Sequence, residues 1–453
     1  MDIIQNKKIL ILGLGNYKDG SGISAALFCL KHGAKKVIIT DLKPAPALSD
    51  TISQLKKYKK RTQFVLGRHR LQDIYTTDLI IKNPGIPENS AVVKLAKRLK
   101  KPITNDIGLF LLFKPQGPVV GITGTRGKST TTTLIYNFLK QKNKRTWLGG
   151  NIGVSPLKFI DQMKKGDITV LELSSWMLHD LKPQLTVAVI TNILPDHLNR
   201  YANMRAYQKD KERIWQFQRS DQTVVLNAKD RKTRAMAKSA PAPVVWFATG
   251  AISRQGVGVS HQQITFNGQT VTSLSHIRLL GKHNLANVAA AIAVAKILRV
   301  SNHVIQKVLK SFTGIPNRLE FISNHQGICY YNDTTATTPD AAVAALRSFS
   351  HKIILIAGGN TKGLSLQLFA KNISHKVKFL VLLKGNANAS LKKALPSKRW
   401  CEVGDIPRAV AQAQKQAKRG DIVLLSPGCT WLPHMNEFVR GQKFMEEVKK
   451  LAK

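Results

Sequence analysis

The chain predicts an α/β protein of three consecutive blocks, each a mainly parallel sheet covered by helices. Two observations carry this reading. Short, nearly continuous apolar runs alternate with helical patterns along almost the whole 453 residues, the pattern of parallel strands buried on both faces. Glycine-rich turns also stand where two of these runs give way to helices, as in nucleotide-binding α/β folds. The blocks are expected at 1–106, 107–313 and 314–453, the second break falling at "FTGIPNR", where Gly and Pro interrupt the pattern.

In the first block "KKILILG" reads as a strand, "GISAALFCLKHG" as a helix and "KKVIITD" as the next strand. In the second, "PVVGIT" leads into a helix over "KSTTTTLIYNFLKQ", followed by the strands "ITVLEL" and "VAVITNI". The stretch "VGVSHQQITFNGQTVTSLSHIRLLG" reads instead as a short antiparallel patch. In the third block "KIILIAGG", "VKFLVLLKG" and "DIVLLSPG" are each followed by a helical pattern.

Composition narrows the class. With 43% hydrophobic residues the chain fills several cores, and disorder is excluded. No apolar run reaches the roughly 18 residues of a membrane span, and the lysines before "ILILGLG" run into a polar loop without a cleavage site. A cytoplasmic location is expected. The four cysteines, Cys29, Cys329, Cys401 and Cys429, match no zinc spacing and are expected to be reduced thiols. The 70 Lys+Arg against 26 Asp+Glu give a net charge of +44. The lysines are spread through helices, without a basic arm or aromatic interleaving, so a solvated surface that gathers anionic small substrates is the preferred reading, and no nucleic-acid partner is expected.

The stretch "GITGTRGKSTTTTL" spells strand, glycine turn and helix. Backbone amides in such a turn and the positive end of the helix dipole suit phosphate oxygens. Gly124, Thr125, Gly127 and Lys128 form the expected cradle, with Lys128 reaching the β- and γ-phosphates and Ser129 or Thr130 available to Mg²⁺. The earlier "GLGNYKDGSG" also joins a strand to a helix, and Asp41 ends the following strand near where a ribose-binding acid sits in dinucleotide folds. Its glycine spacing is stretched, so a UDP-sugar fits as well as a dinucleotide, and a tight turn without ligand stays open. In a chain poor in acids, Glu172 at the end of "ITVLEL" and Asp196 and His197 after "VAVITNILP" stand at strand ends, where open parallel sheets bind ligands. Together they favour a metal-dependent phosphate site.

These motifs, with "ELSSW", "TNILPDHLNRY", "GKHNLANVAAA", "NRLEFI", "YNDTTATTPDA", "AGGNTKG" and "LLSPG" in this order, resemble the Mur ligases, and among them the glutamate-adding member, over essentially the whole chain. The resemblance implies a Rossmann-like UDP-binding N-terminal domain, a central P-loop ATPase domain and a Rossmann-like C-terminal domain. It implies ligation of glutamate to UDP-N-acetylmuramoyl-L-alanine with ATP and Mg²⁺ through an acyl phosphate, in a protein expected to be monomeric. By the same resemblance, Ser129, Glu172 and His197 serve the metal, and Lys211 joins them once carbamylated by CO₂. Gly15, Asn16, Asp41 and Asn151 serve the UDP substrate, Asn151 near the reacting carboxylate. Asn287, Arg318 and Asp333 complete the ATP site, with Asn287 at the adenine. Lys362, Thr337 and Thr430 serve the amino acid. Three positions depart from the family pattern: Thr335 stands where a lysine is usual, Met177 replaces a polar residue, and "SPGCTWLPHMNEF" replaces a serine-containing motif. All three touch the amino-acid side, so another amino acid such as L-glutamate is the first alternative. Folylpolyglutamate synthase chemistry and a nucleic-acid-dependent P-loop ATPase are further ones.

Overall fold

The computed structural model describes residues 3–196, 200–252, 255–281, 283–361, 363–393, 399–430 and 435–451. Three sheets organise it. Within the described residues, contacts divide the chain into two compact units, Met1–Leu274 with Ala286–Val308, and Ser275–Leu285 with Leu309–Lys453. The first two sheets share the first unit.

The first sheet contains β1 (Lys8–Leu12), β2 (Lys36–Asp41), β3 (Thr62–Leu66), β4 (Leu79–Lys82) and β5 (Ile103–Thr104). They lie in the order β3-β2-β1-β4-β5, all parallel. The second sheet is built from β6 (Val119–Thr123), β7 (Thr146–Gly150), β8 (Ile168–Glu172), β9 (Val187–Ile190), β10 (Thr223–Asn227), β11 (Val244–Phe247), β12 (Gly256–Ser260), β13 (Gln263–Phe266) and β14 (Gln269–Ser273). Its order is β14-β13-β12-β11-β10-β9-β6-β8-β7. The expected antiparallel patch is the β12–β14 meander at one edge.

The third sheet contains β15 (Glu320–His325), β16 (Ile328–Asn332), β17 (Ile353–Gly358), β18 (Val377–Leu383), β19 (Trp400–Val403) and β20 (Ile422–Leu425), in the order β15-β16-β20-β17-β18-β19. Only the β15–β16 pairing is antiparallel.

The apolar runs behave as their composition demands. Every residue of β6, β8 and β17 is buried, because helices cover both faces of each sheet. A buried Val, Leu or Ile side chain contributes about 1.5–3 kcal/mol by leaving water, so these central strands anchor the loops at their C-terminal ends. In each sheet the strand order reverses beside one strand: β1 between β2 and β4, β6 between β8 and β9, β17 between β18 and β20. Helices leaving the two sides there diverge and open a crevice at the C-terminal strand ends. The glycine loops at Gly13–Gly15, Gly124–Gly127 and Gly358–Gly359 come directly after those three strands, so topology places all three at binding positions.

Candidate active site

The loop after β6 turns through Gly124 (φ +143°) and Gly127 (φ +84°), and Gly127 caps the helix Lys128–Lys142. Neither position tolerates a side chain. A Cβ on Gly124 would lie 1.9 Å from Thr191 Oγ1, and one on Gly127 would lie 2.1 Å from Asn287 Oδ1. The loop is braced from the end of β9. Thr125 N donates to the Asn192 carbonyl (2.9 Å), Arg126 N donates to Asn192 Oδ1 (2.9 Å), and the Thr191 hydroxyl donates to the Arg126 carbonyl (2.6 Å). Arg126 also pairs with Asp196 at 2.8 Å. This leaves a 15-residue helix presenting its N-terminus behind a rigid glycine turn, the arrangement that receives phosphate. The Lys128 ammonium is held over the turn by the Gly124 and Thr125 carbonyls at 3.0 and 3.1 Å.

Glu172, the last residue of β8, is 2% exposed. Its Oε1 accepts from Asn151 Nδ2 at 3.0 Å, and its Oε2 is buried with no hydrogen-bond partner. A buried carboxylate oxygen without a donor costs more than most folds tolerate. A divalent cation bound beside this oxygen would supply the missing partner, and a carboxylate donor suits Mg²⁺.

Lys211 closes the other side. It lies on the helix Met204–Glu212, is 2% exposed, and donates from Nζ to the Gly124 carbonyl at 2.8 Å, with the Tyr207 ring 4.7 Å away. Burial and the Lys128 charge drive its pKa well below the ordinary lysine value, against the pull of Asp196, Asp210 and Glu172. The Tyr207 hydroxyl shares a hydrogen bond with Thr125 Oγ1 at 3.1 Å, tying this helix to the turn.

A network not legible in the motifs fixes that helix. Asp210 accepts from His179 Nδ1 (2.9 Å) and from the Tyr201 hydroxyl (2.9 Å). His179 Nε2 faces Glu88 at 3.3 Å, and the buried Lys82 pairs with Glu88 and Asp180. The hydrogen bonds to Asp210 and Glu88 outweigh burial and push the imidazole pKa up to about 9. Burial opposes ionisation of Glu88, but His179, Lys82 and Lys97 hold its carboxyl well below the usual range. Glu88, His179 and Asp180 stand close enough to grip an ion, but the Lys82 ammonium already neutralises them, so this is an ion-pair hub.

The first glycine loop is shaped by its own sheet. Gly13 and Gly15 have φ of +91° and +74°. Asp41 accepts from Gly15 N and Lys43 N, both at 2.9 Å, so it braces the loop with both oxygens, while Asn16 is exposed. The buried Asp106 accepts from the Ser21 and Ser155 hydroxyls, both at 2.6 Å, and Ser155 N donates to the Asp19 carbonyl at 3.0 Å. These bonds bring the first glycine loop beside the loop that carries Asn151. Gly15, Asn151, Glu172, Lys128, Ser129, Thr130 and Lys211 thus all lie on loops, a strand end or helix ends of one unit. Asn287, expected at the adenine, lies against Gly127 of the turn.

In the second unit, Asp333 is buried and accepts from the Ser426 hydroxyl (2.8 Å) and Leu319 N (3.2 Å). Burial pushes its carboxyl up to about 7 against these bonds and the nearby Arg318. Thr430 donates from both N and Oγ1 to the Asn360 carbonyl (2.8 and 2.7 Å), which sets its loop beside the one after β17. Thr337 lies on the same turn as Thr335, whose hydroxyl is committed to the Asn317 carbonyl at 2.8 Å. The buried Arg440 donates to the Thr334 hydroxyl and carbonyl and towards Thr430 O (2.9, 2.8 and 3.5 Å), joining the two loops. No sequence signal marks Arg440, since nothing in the helical pattern of Glu437–Leu451 distinguishes it from the neighbouring lysines. His197 and Lys362 lie outside the described residues.

Comparison with known proteins agrees with this geometry. Residues 7–105 match the Mur ligase MurD-like N-terminal domain, 122–295 the Mur ligase middle domain, and 317–429 the Mur ligase glutamate ligase domain. The UDP-N-acetylmuramoylalanine–D-glutamate ligase of Roseiflexus sp. (strain RS-1) is 37% identical over 464 residues, covering 97% of this chain and 98% of that protein. The enzyme of the same name from Borreliella burgdorferi (strain ZS7) is 35% identical over 461 residues, covering 100% of both. Among solved structures, the UDP-N-acetylmuramate-alanine ligase of Thermotoga maritima superposes with a TM-score of 0.62 at 20% identity, over 98% of this chain and 99% of that one. The MurF ligase of Thermotoga maritima, solved with ADP, gives 0.57 at 17% identity over 99% of each chain. With all three parts matched in order and full-length relatives above 30% identity, the chain belongs to the Mur ligase family.

Proposed function

We propose that this ligase joins D-glutamate to UDP-N-acetylmuramoyl-L-alanine with ATP, in the building of peptidoglycan precursors. The observation that carries the reading is the pairing of a braced phosphate turn with the unpartnered, buried oxygen of Glu172 at the next strand end. The full-length relatives of that name support the choice of substrates.

The reaction asks for positioning and charge neutralisation more than for covalent help. The terminal carboxylate of the UDP substrate attacks the γ-phosphorus of ATP, the bond to ADP breaks, and an acyl phosphate forms. The glutamate amine then attacks the acyl carbon, phosphate leaves with the carbon–oxygen bond, and the amine gives up a proton to solvent. The turn amides and Lys128 hold the polyphosphate, and Asn151 lies where the reacting carboxylate arrives. Mg²⁺, when bound, adds neutralising charge at the phosphates, and Ser129, Glu172 and His197 would hold it. Lys211 cannot ligate a cation as an ammonium. Its burial favours the neutral amine that reacts with CO₂, and the carbamate would present oxygens to the metal. In the second unit Arg318 and Asp333 serve the nucleotide, and Lys362, Thr337 and Thr430 receive the amino acid. Gly15, Asn16 and Asp41 serve the UDP end, Asp41 through the loop it braces.

The second reading, a ligase for L-glutamate, rests on Thr335, whose hydroxyl is already used where the family pattern has a lysine. Turnover measured with UDP-N-acetylmuramoyl-L-alanine, ATP and either glutamate enantiomer separates the two. Product with the D form alone is expected, and equal or greater turnover with the L form would overturn the assignment.

A further inference from the structure

The end of the first sheet opposite its glycine loop gathers cations that the ligation does not use. Strand register sets Lys8 level with Lys36, and Arg61 directly precedes Thr62, which pairs with Val37. Lys35 N and Lys36 N both donate to the Lys7 carbonyl, so these pairs touch. Beside them, the turn Lys56–Arg61 carries five cations in the six residues "KKYKKR". On the far side, Lys100 and Lys101 precede β5 at the same end of the sheet. The lysines of the turn are exposed, as are Lys7, Lys8, Lys35 and Lys100. Among the described residues two acids stand at this end and both are engaged: Asp78 accepts from Lys8 N at 2.8 Å, and Asp161 pairs with Lys31 and His32 just before β2. Tyr75, 56% exposed, accepts at its carbonyl from Lys101 Nζ, and Ile3, 41% exposed, directly precedes Ile4, whose carbonyl accepts from Lys7 N.

We propose that this face docks the enzyme reversibly onto a bilayer rich in acidic phospholipid, with the substrate crevice at the other end of the sheet turned to solution. Its charge is almost all lysine. Arg61 spends its guanidinium on the Ala34 and Leu30 carbonyls, which leaves Arg98 as the exposed arginine beside Lys100, a set dominated by point charges rather than by the planar forks that read nucleic acid. Exposed lysines around a tyrosine and an isoleucine suit a surface where charge meets headgroups and apolar tips enter the interface. Each basic side chain near an anionic leaflet raises partitioning about five-fold, so the four turn lysines together carry roughly 600-fold.

The test is sedimentation of the full-length protein with vesicles of phosphatidylcholine alone or with about one-third phosphatidylglycerol, at low and physiological salt. Binding only to acidic vesicles, weakened by salt, is expected. K56Q/K57Q/K59Q/K60Q should lower it by roughly 600-fold while leaving ligation in solution unchanged. The matched variant K371Q/K415Q/K418Q/K449Q removes the same charge from exposed lysines of the second unit and should lose far less. Equal loss in the two variants, equal binding to neutral vesicles, or displacement from acidic vesicles by duplex DNA at a lower charge concentration than the lipid would overturn the proposal.

Discussion

Glu172→Gln separates the chemical from the structural part of the site. The substitution keeps the shape and leaves Oε1 to accept from Asn151 Nδ2. It removes a charge that is 2% exposed and whose second oxygen has no partner. Two effects on the resting fold oppose each other. Removing an under-satisfied buried carboxylate recovers part of a cost of roughly 1–3 kcal/mol. Removing an anion beside the buried Lys211 gives some of it back. The net change in stability is expected to stay within about 1 kcal/mol. In the proposed metal role Glu172 is a charged ligand whose loss nothing offsets, so turnover should fall about 100- to 1000-fold, as when one preorganised electrostatic group is removed. ADP release is monitored in a coupled assay across a Mg²⁺ titration, beside urea unfolding without nucleotide. The variant should unfold near the parent midpoint, need more Mg²⁺ and turn over slowly. Parental turnover at low Mg²⁺ would refute the metal role of Glu172, and collapse of the resting fold would refute the offset.

The geometry sets three further outcomes. His179 has a pKa raised from the ordinary 6.5 to about 9, so its contribution is complete below pH 6.5 and is lost as pH climbs through 9. After allowance for screening of a partly exposed ring it amounts to roughly 1–2 kcal/mol, and His179→Gln should flatten the pH dependence of unfolding in that window; an unchanged slope would show that the hub contributes nothing there. Gly124→Ala forces a side chain at φ +143° and into Thr191, so a destabilisation of roughly 2–5 kcal/mol is expected by denaturant unfolding. Lys211→Ala should be inactive with and without bicarbonate, whereas the parent loses activity on exhaustive removal of CO₂ and regains it on adding bicarbonate; a fully active alanine variant would exclude the carbamate.

Much of this architecture was legible because the deciding signals are local. Continuous apolar runs such as "PVVGIT" and "KIILIAGG" require burial on both faces, and the glycines after them mark where a chain can turn without a Cβ. Asp41 shows where local reading stops. Its position at a strand end suggested contact with a ribose, and the fold adds a second task that no local pattern shows, since its oxygens accept from Gly15 N and Lys43 N. Asn287 likewise lies against the phosphate turn, because its helix packs across residues more than 150 positions earlier in the chain. The hub of Lys82, Glu88, His179 and Asp210 was invisible for the same reason. Each residue alone reads as a solvated polar side chain, and only the packing of two sheets in one unit buries them together. The pairs of lysines at the strand starts looked like scattered charge until parallel register aligned them on one rim.

The central claim, ligation through an acyl phosphate, is tested most directly by oxygen transfer. UDP-N-acetylmuramoyl-L-alanine labelled with ¹⁸O in its terminal carboxylate is turned over with ATP and D-glutamate, and the released phosphate is analysed by mass spectrometry. One labelled oxygen should appear in each phosphate, in step with formation of the glutamyl product. Phosphate released without label, or ATP consumed without peptide product, would contradict an acyl-phosphate route.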